Sequence, residues 1–158
     1  MSESQMPPED GKLVVQRFWY EVVNSGDLEL VDELFTSDCI VHDPVFNDIR
    51  GQGGVREIVE NYLTLFPDIE VDLDAQIAAA DSQIVTRWFA TGTHTGQIGS
   101  QPPSPTGERV NVTGMSVSRI IEGRIQEAWI VTEAPPPPPA GPPGFVDDWC
   151  RKFPWLCK

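Results

Sequence analysis

Apolar residues recur at helical spacing in three stretches of the first 66 residues. The spacing predicts helices over 12–24, 28–35 and 55–66, and Pro67 stops the third because its ring cannot continue a helix. Each stretch has an apolar stripe and a polar face, which is typical of a helix that packs against another layer. The first half of the chain therefore predicts three helices that pack against a second layer of the domain.

In the second half the period changes from helical to alternating, which indicates strands with one buried face. Four such runs lie at 69–80, 82–96, 109–121 and 124–132. A shorter run at 39–45 predicts one more strand, and NDIRGQGG at 47–54 predicts a loop. Together these elements predict an α+β domain, in which three N-terminal helices pack on a curved mixed or antiparallel sheet.

Turn residues separate the strands. The pairs Asp81-Ser82 and Glu122-Gly123 predict tight turns between neighbouring strands. The longer connection at 96–108, GQIGSQPPSPTGE, is rich in Pro, Gly and Ser and predicts an exposed loop.

The chain is strongly acidic, with a formal net charge of -13 and a pI near 4.3. This charge disfavours binding to nucleic acid or to an anionic membrane, because the phosphate term is repulsive. No apolar run approaches the roughly 20 residues that span a bilayer, and MSESQMPPEDGK lacks the regions of a signal peptide. We expect a cytoplasmic protein. Two histidines and three scattered cysteines give no four-ligand zinc set, so no metal site is expected.

The globular pattern ends at about residue 134, where five consecutive prolines begin. Such a run excludes helix and central strand and favours an extended spacer about 30 Å long. We therefore divide the chain into a flexible N-terminus, one domain, a Pro-rich linker and a C-terminal peptide, at 1–11, 12–134, 135–144 and 145–158.

The C-terminal peptide, FVDDWCRKFPWLCK, is rich in aromatic residues, which exposed tails normally lack. The residues expected to meet a partner or to be modified are Trp149, Cys150, Phe153, Trp155 and Cys157. Three interpretations stay open. The peptide docks on another protein, or it is a precursor peptide changed by a modifying enzyme, or it folds back over a sheet edge or the pocket of a dimer mate.

Four phrases carry a resemblance to a known family: NSGDLELVDELFTSDCIVHDP, LFPDIEVDL, TRWFATGTHTG and VTGMSVSRIIEGRIQEAW. Together they resemble the SnoaL-like polyketide cyclase or ester cyclase family of the nuclear-transport-factor-two-like superfamily, over about residues 12–132. The resemblance implies a cone-shaped barrel with one deep apolar pocket, a small hydrophobic oxygenated ligand and a homodimer. It also implies cyclase, isomerase or hydrolase chemistry without a cofactor, in which an acidic side chain moves a proton in the pocket.

The last strand departs from the pattern of that family. The common phrase looks like a histidine before Trp129 and an acid/base aspartate after it, whereas this chain has Ala128 and Ile130 there. Neither residue can carry a proton. Strand alternation places Ala128 and Ile130 on one face, with Ile125, Glu127 and Trp129 on the other. The sequence thus predicts a ligand-binding relative whose catalysis stays open; the alternative is a noncatalytic carrier or leader domain that presents its C-terminal peptide.

Three titratable residues are the remaining candidates for catalysis: His42, Asp43 and His94. A carboxylate beside a histidine can set its tautomer and pKa, although neighbours on a strand face opposite ways and Asp43 could instead cap a turn. His94 shares the strand parity of Trp88, so it lines the concave face or is hydrogen-bonded at the sheet rim. The predicted ligand wall is Tyr20, Tyr62, Phe66, Trp88, Met115, Ala128 and Ile130.

Overall fold

The computed structural model describes residues 7–101 and 104–133, and its helices come first in the chain. Helix α1 (Pro8–Arg17) continues directly as a π-helical segment (Phe18–Asn24). A 3₁₀ turn (Leu28–Leu30) leads into the single-turn helix α2 (Val31–Leu34), and α3 (Gly51–Leu65) is the longest helix. The first predicted helix is confirmed over most of its length, and the second is shorter than the stripe of apolar residues indicates.

Six strands form one mixed sheet in the order β2-β1-β6-β5-β4-β3. They are β1 (Phe35–Asp43), β2 (Asn47–Arg50), β3 (Glu70–Ala79), β4 (Gln83–Thr93), β5 (Arg109–Ile121) and β6 (Arg124–Thr132). β1 pairs in parallel with β6, and the other neighbours are antiparallel. The α+β class is confirmed, but the sheet has two edge strands and is not closed into a barrel.

The predicted loop at 47–54 is wrong. Asn47–Arg50 forms β2 against β1, and Gly51 begins α3. Asn47 and Gly51 both adopt positive φ, 66° and 72°, so a left-handed residue stands at the start of each element. The segment carries only one apolar residue, Ile49, which is too few for the alternation of a strand to be recognised.

The two predicted tight turns are confirmed. Asp81 and Ser82 have φ values of 57° and 55°, and Glu122 and Gly123 have 48° and 79°. Two successive positive φ angles match the right-handed twist of the strands that they join. These turns set the pairing of β3 with β4 and of β5 with β6.

The helices pack on one face of the sheet, which we call the inner face. Val15 and Val22 of the helical layer are buried, as are Ile84 and Ile120 of the sheet. The opposite face, which we call the outer face, bears exposed apolar side chains. No helix among the residues 7–101 and 104–133 is long and apolar enough to cross a membrane.

Candidate functional site

A small cavity lies between the π-helical segment and the inner face of the sheet. Its volume is about 20 Å³, which is room for about one water molecule. Its lining is Phe18, Trp19, Phe35, Val41, Ser116, Ser118, Ile125, Ala128 and Ile130. None of these side chains titrates near neutral pH. Ala128 and Ile130 stand where the family resemblance places the acid/base residues. Both of them border this cavity.

Two buried tryptophans pack against each other beside this cavity. Trp19 and Trp88 pack with ring centroids 5.1 Å apart and are 7% and 5% exposed. Gly114 makes this packing possible, because a Cβ atom there would overlap the Trp88 ring. The cavity on the inner face is therefore small and lies beside a tryptophan pair.

The interior around this cavity contains hydrogen-bond donors without acceptors. Within the part of the chain that the structure describes, Trp19 Nε1, Trp88 Nε1 and Ser116 Oγ are buried and have no hydrogen-bond partner. Trp19 and Ser116 both border the cavity, and Trp88 packs against Trp19 with the two rings tilted. An unpaired buried N–H or O–H costs about 1–3 kcal/mol, so an acceptor placed here would be bound favourably.

A β-bulge in β6 changes which residues face this interior. Arg119 pairs with Glu127, but the next residue, Ile120, pairs with Ile125, so Gln126 is the extra residue. Ile125 consequently points inward and is 1% exposed. The prediction that Ile125 shares the face of Glu127 and Trp129 is wrong for this reason.

Asp43 holds a turn at the end of β1. Its Oδ1 atom accepts backbone N–H bonds from Val45 at 2.8 Å and Phe46 at 2.9 Å. The Tyr62 hydroxyl donates to the same carboxylate at 3.1 Å. Burial, followed by the charge of Asp43, holds the pKa of Tyr62 far above its usual range. These bonds match the turn-capping alternative, and neither Asp43 nor Tyr62 borders the cavity.

His42, one of the three candidates for catalysis, lies on the outer face of the sheet and does not border the cavity. Its Nδ1 is 2.7 Å from Asp48 and its Nε2 is 2.9 Å from Glu127. The ring stacks on Trp129 at a centroid distance of 5.5 Å. Arg119 completes the cluster, because it donates to Glu127 at 2.9 Å and lies over the Trp129 ring. Only a doubly protonated imidazole can donate to both carboxylates.

His94 lies on the inner side, just beyond the end of β4. It is 7% exposed and packs on Phe66 at 5.4 Å. Its Nδ1 is 3.3 Å from Thr106 Oγ1, and its backbone pairs with Glu108 and Gly107. The histidine thus fastens the loop between β4 and β5 to the domain, as the rim alternative predicts. It does not border the cavity.

Several predicted wall residues lie away from the cavity. The prediction that Met115 lines the pocket is wrong, because its side chain is 44% exposed on the outer face. Tyr20 is 39% exposed and lines an open groove of about 430 Å³ between α1 and β3. Tyr62 and Phe66 pack on Phe46 and His94 respectively, outside the cavity lining. The residues that sequence reasoning missed are Ser116 and Ser118, whose small polar side chains alternate with Met115 and Val117 along β5.

Two further expectations concern metals and the C-terminal peptide. No group of three His, Cys, Asp or Glu side chains within residues 7–101 and 104–133 is arranged to hold a metal ion. The predicted partner-binding or modified residues, Trp149, Cys150, Phe153, Trp155 and Cys157, lie outside the residues that the structure describes.

The segment that builds the fold and the cavity matches a known protein family. The profile of the SnoaL-like polyketide cyclase family matches residues 13–134. The chain belongs to this family. The match begins within α1 and extends past the last strand, so it includes every residue that borders the cavity.

Solved structures resemble this SnoaL-like protein over most of its length. A SnoaL-like candidate polyketide cyclase from Jannaschia sp. CCS1 matches with a TM-score of 0.71 and 18% identity, covering 84% of this chain and 92% of that one. IdmH, a candidate polyketide cyclase from Streptomyces antibioticus, matches with a TM-score of 0.65 and 28% identity, covering 81% and 93%. A candidate polyketide cyclase from Acidithiobacillus ferrooxidans matches with a TM-score of 0.66 and 26% identity, covering 84% and 92%.

The outer-face cluster of this SnoaL-like protein predicts a pH-dependent stability. The hydrogen bonds that the imidazole donates to Glu127 and then to Asp48 raise the pKa of His42 above its usual value. The protonated His42 therefore stabilises the folded chain fully below about pH 6.5. This stabilisation is lost as the pH rises through the pKa that His42 has in the folded chain. We expect the melting temperature of the full chain to fall by a few degrees across this window, and His42→Gln to remove that fall.

His94→Gln serves as the control for this measurement, because it changes the other histidine and leaves the cluster intact. Its melting temperature should keep the pH dependence of the unaltered chain even if its absolute value is lower. An identical pH dependence of melting in the unaltered chain and in His42→Gln would contradict the assignment.

Proposed function

We propose that this SnoaL-like domain binds a small hydrophobic molecule bearing an oxygen acceptor, in the cavity between the π-helical segment and the inner face. The observation that carries the proposal is a set of donors, on Trp19, Trp88 and Ser116, that have no partner among the described residues and lie in a largely apolar interior. Binding sites for small molecules combine an apolar lining with a few polar groups that fix the orientation of the ligand. A carbonyl or similar oxygen would supply the acceptor that these donors lack.

The function that we propose is binding without proton transfer in the cavity. General acid–base catalysis needs a titratable group within hydrogen-bond reach of the reacting atom. At the two positions where the family resemblance places such groups, this chain has Ala128 and Ile130, and both border the cavity. Asp43 and His94 are engaged in a turn and in a loop anchor. The cavity thus has hydrogen-bond donors, whereas its two acid/base positions hold Ala128 and Ile130. Together these features favour ligand binding over cyclase activity.

A ligand larger than a water molecule requires the interior to open. The cavity of about 20 Å³ is bordered by Trp19, which belongs to the π-helical segment. π-Helical turns are rare and occur often at functional sites, where they reshape a helix locally. We propose that the Trp19 side chain is displaced when the ligand enters, so that its indole N–H meets the ligand oxygen.

A matched pair of probes tests this proposal. 1-Indanone and indane share one carbon skeleton and differ in a carbonyl oxygen, so their affinities isolate the acceptor. We expect the full chain to bind 1-indanone about tenfold more tightly than indane, because one otherwise unpaired donor is satisfied. The indole N–H resonance of Trp19, followed by proton–nitrogen NMR spectroscopy, should shift with 1-indanone.

Ser116→Ala should reduce the preference for the ketone, since it removes a donor without adding volume. Ser100→Ala is the control, because Ser100 is exposed and lies in the loop between β4 and β5. Equal affinity for the two probes, or a ketone that leaves the Trp19 resonance unmoved, would rule out the donor set as the recognition element.

A further inference from the structure

A row of polar side chains crosses the inner face of the sheet and ends at the cavity. Register pairing places Gln76, Thr86 and Ser116 side by side on β3, β4 and β5. Gln16 of α1 adjoins the first of them, because its Nε2 donates to Gln76 Oε1 at 2.6 Å. We call these four residues the polar row. Thr86 and Ser116 are both buried among mainly apolar neighbours, so hydrogen bonding is the property that sets them apart.

The direction of the hydrogen bonds in the polar row is fixed at Gln76. Its Nε2 is 3.3 Å from the backbone oxygen of Lys12 and 3.2 Å from Thr86 Oγ1. A carbonyl oxygen can only accept, so the amide nitrogen of Gln76 faces Lys12, and the same nitrogen donates to Thr86. Thr86 thus receives its hydrogen bond from the side of the open groove, which Gln16 and Gln76 border. The O–H proton of Thr86 is left for an acceptor on its other side.

Ser116 is the next residue of the polar row beyond Thr86. The two residues pair directly across β4 and β5, and both side chains lie on the inner face. The Cβ atoms of such a pair lie about 4.5–5.5 Å apart, within reach of a bond between two hydroxyl groups. Ser116 Oγ has no partner among the described residues, so a rotation about χ1 can bring it to Thr86 without breaking another hydrogen bond.

A bond from Thr86 would set the role of the Ser116 hydroxyl. A serine oxygen that accepts this bond keeps its own O–H to donate, and Ser116 borders the cavity. Every donor of the polar row then points from the groove toward the cavity, and each bond polarises the next one. Ser118, the other serine of the cavity lining, pairs with Ile84 on β4 and so has no donor behind it.

We propose that Gln76 and Thr86 are positioning residues, which present the Ser116 hydroxyl as a donor to a carbonyl oxygen in the cavity. This role rests on the proposed function, because it takes the ligand oxygen to lie against Ser116. The indole N–H groups of Trp19 and Trp88 can also only donate. The three donors together match an oxygen that accepts without donating, as in a ketone or an ester.

Two substitutions of Thr86 separate the effect of its hydroxyl from that of its shape. Thr86→Val keeps the volume and removes the hydroxyl, whereas Thr86→Ser keeps the hydroxyl and removes a methyl group. Titration calorimetry of each full chain measures the affinities for 1-indanone and indane. We expect the preference for the ketone to fall from about tenfold to about threefold in Thr86→Val and to stay near tenfold in Thr86→Ser. A change in packing alone would alter the affinities for both probes together.

Thr95→Val is the control, because it makes the same change at an exposed position beyond the end of β4 and should keep the tenfold preference. Gln76→Met repeats the test in case Thr86→Val does not fold, since it removes the donor to Thr86 and should also lower the ketone preference. A preference that persists in either Thr86→Val or Gln76→Met, or that falls equally in Thr86→Ser, would overturn the positioning role and leave the proposed function intact. Equal affinity of the unaltered chain for the two probes would overturn both.

Discussion

Replacement of Trp88 by alanine is expected to lower the free energy of unfolding by about 3–5 kcal/mol, the usual cost of truncating a buried aromatic side chain. Trp88 is 5% exposed, packs against Trp19 and lies over Gly114. Its removal leaves a space that neighbouring side chains on a paired sheet can fill only partly. Chemical denaturation of the full chain, with and without the substitution, measures the loss.

The same variant should gain a ligand. An enlarged apolar cavity binds small aromatic molecules, so added indole should restore part of the stability lost in Trp88→Ala and leave the unaltered chain unchanged. Phe89→Ala is the control, because Phe89 is the next residue on β4, is 44% exposed and points to the outer face. We expect it to cost about 1 kcal/mol or less. A loss in Trp88→Ala no larger than in Phe89→Ala would contradict the packing that we describe.

Gly96→Ala is expected to destabilise the fold by about 3 kcal/mol, since the added Cβ atom has no room. It would overlap the backbone oxygen of Thr64 at the end of α3, and the N–H of Gly96 donates to Leu65 at 3.2 Å. Backbone cannot rotate aside as a flexible side chain can, so the loop after β4 must separate from the helix. Thermal and chemical unfolding of the variant measure the effect.

Gly53→Ala is the matched control, with an effect of opposite sign. Gly53 lies in the first turn of α3 and is exposed, and a Cβ atom added there would have no neighbouring atom within 4 Å. Alanine there should stabilise the chain by about 0.5–1 kcal/mol, because it loses less conformational entropy in a helix than glycine does. Comparable losses at Gly96 and Gly53 would show that the close approach to Thr64 is not the cause.

The long periodic elements could be predicted from the sequence, and the short ones could not. The stripes in 12–24 and 55–66 and the alternation after residue 68 correspond to real helices and strands. β2 escaped notice because four residues with one apolar side chain carry no period, and its pairing with β1 decides its conformation. The parallel pairing of β1 with β6 joins residues about 85 positions apart, as His42 and Glu127 illustrate, and local patterns do not contain it.

The candidate site was only partly predictable, for reasons of register. Ala128 and Ile130 were expected in the pocket wall, and they border the cavity. Ile125 and Met115 were assigned to the wrong faces, the first because a bulge interrupts β6 and the second because its strand neighbours, Ser116 and Ser118, were not weighed. The small polar residues at every second position of β5 were the available signal that this face meets large side chains from the helices.

The structure separates charge from the cavity. The acidic and basic side chains around His42 lie on the outer face, where they pair with one another. Among the described residues, those that line the cavity include none that titrates near neutral pH, and its neutral donors Trp19 and Ser116 have no partner. This separation has a chemical meaning, because a neutral donor set can orient an oxygen but cannot remove a proton. It is the basis for proposing a binding function in a chain that belongs to a family of polyketide cyclases.

Native mass spectrometry of the full chain, isolated from the cells that make it, tests the central claim most directly. The unaltered chain should carry a noncovalent small molecule that is released on denaturation and whose exact mass requires at least one oxygen atom. Ser116→Ala should retain less of it under the same conditions, and Ser100→Ala should retain the same amount. Release of a molecule without oxygen, or the absence of a bound molecule from all three proteins, would contradict the account.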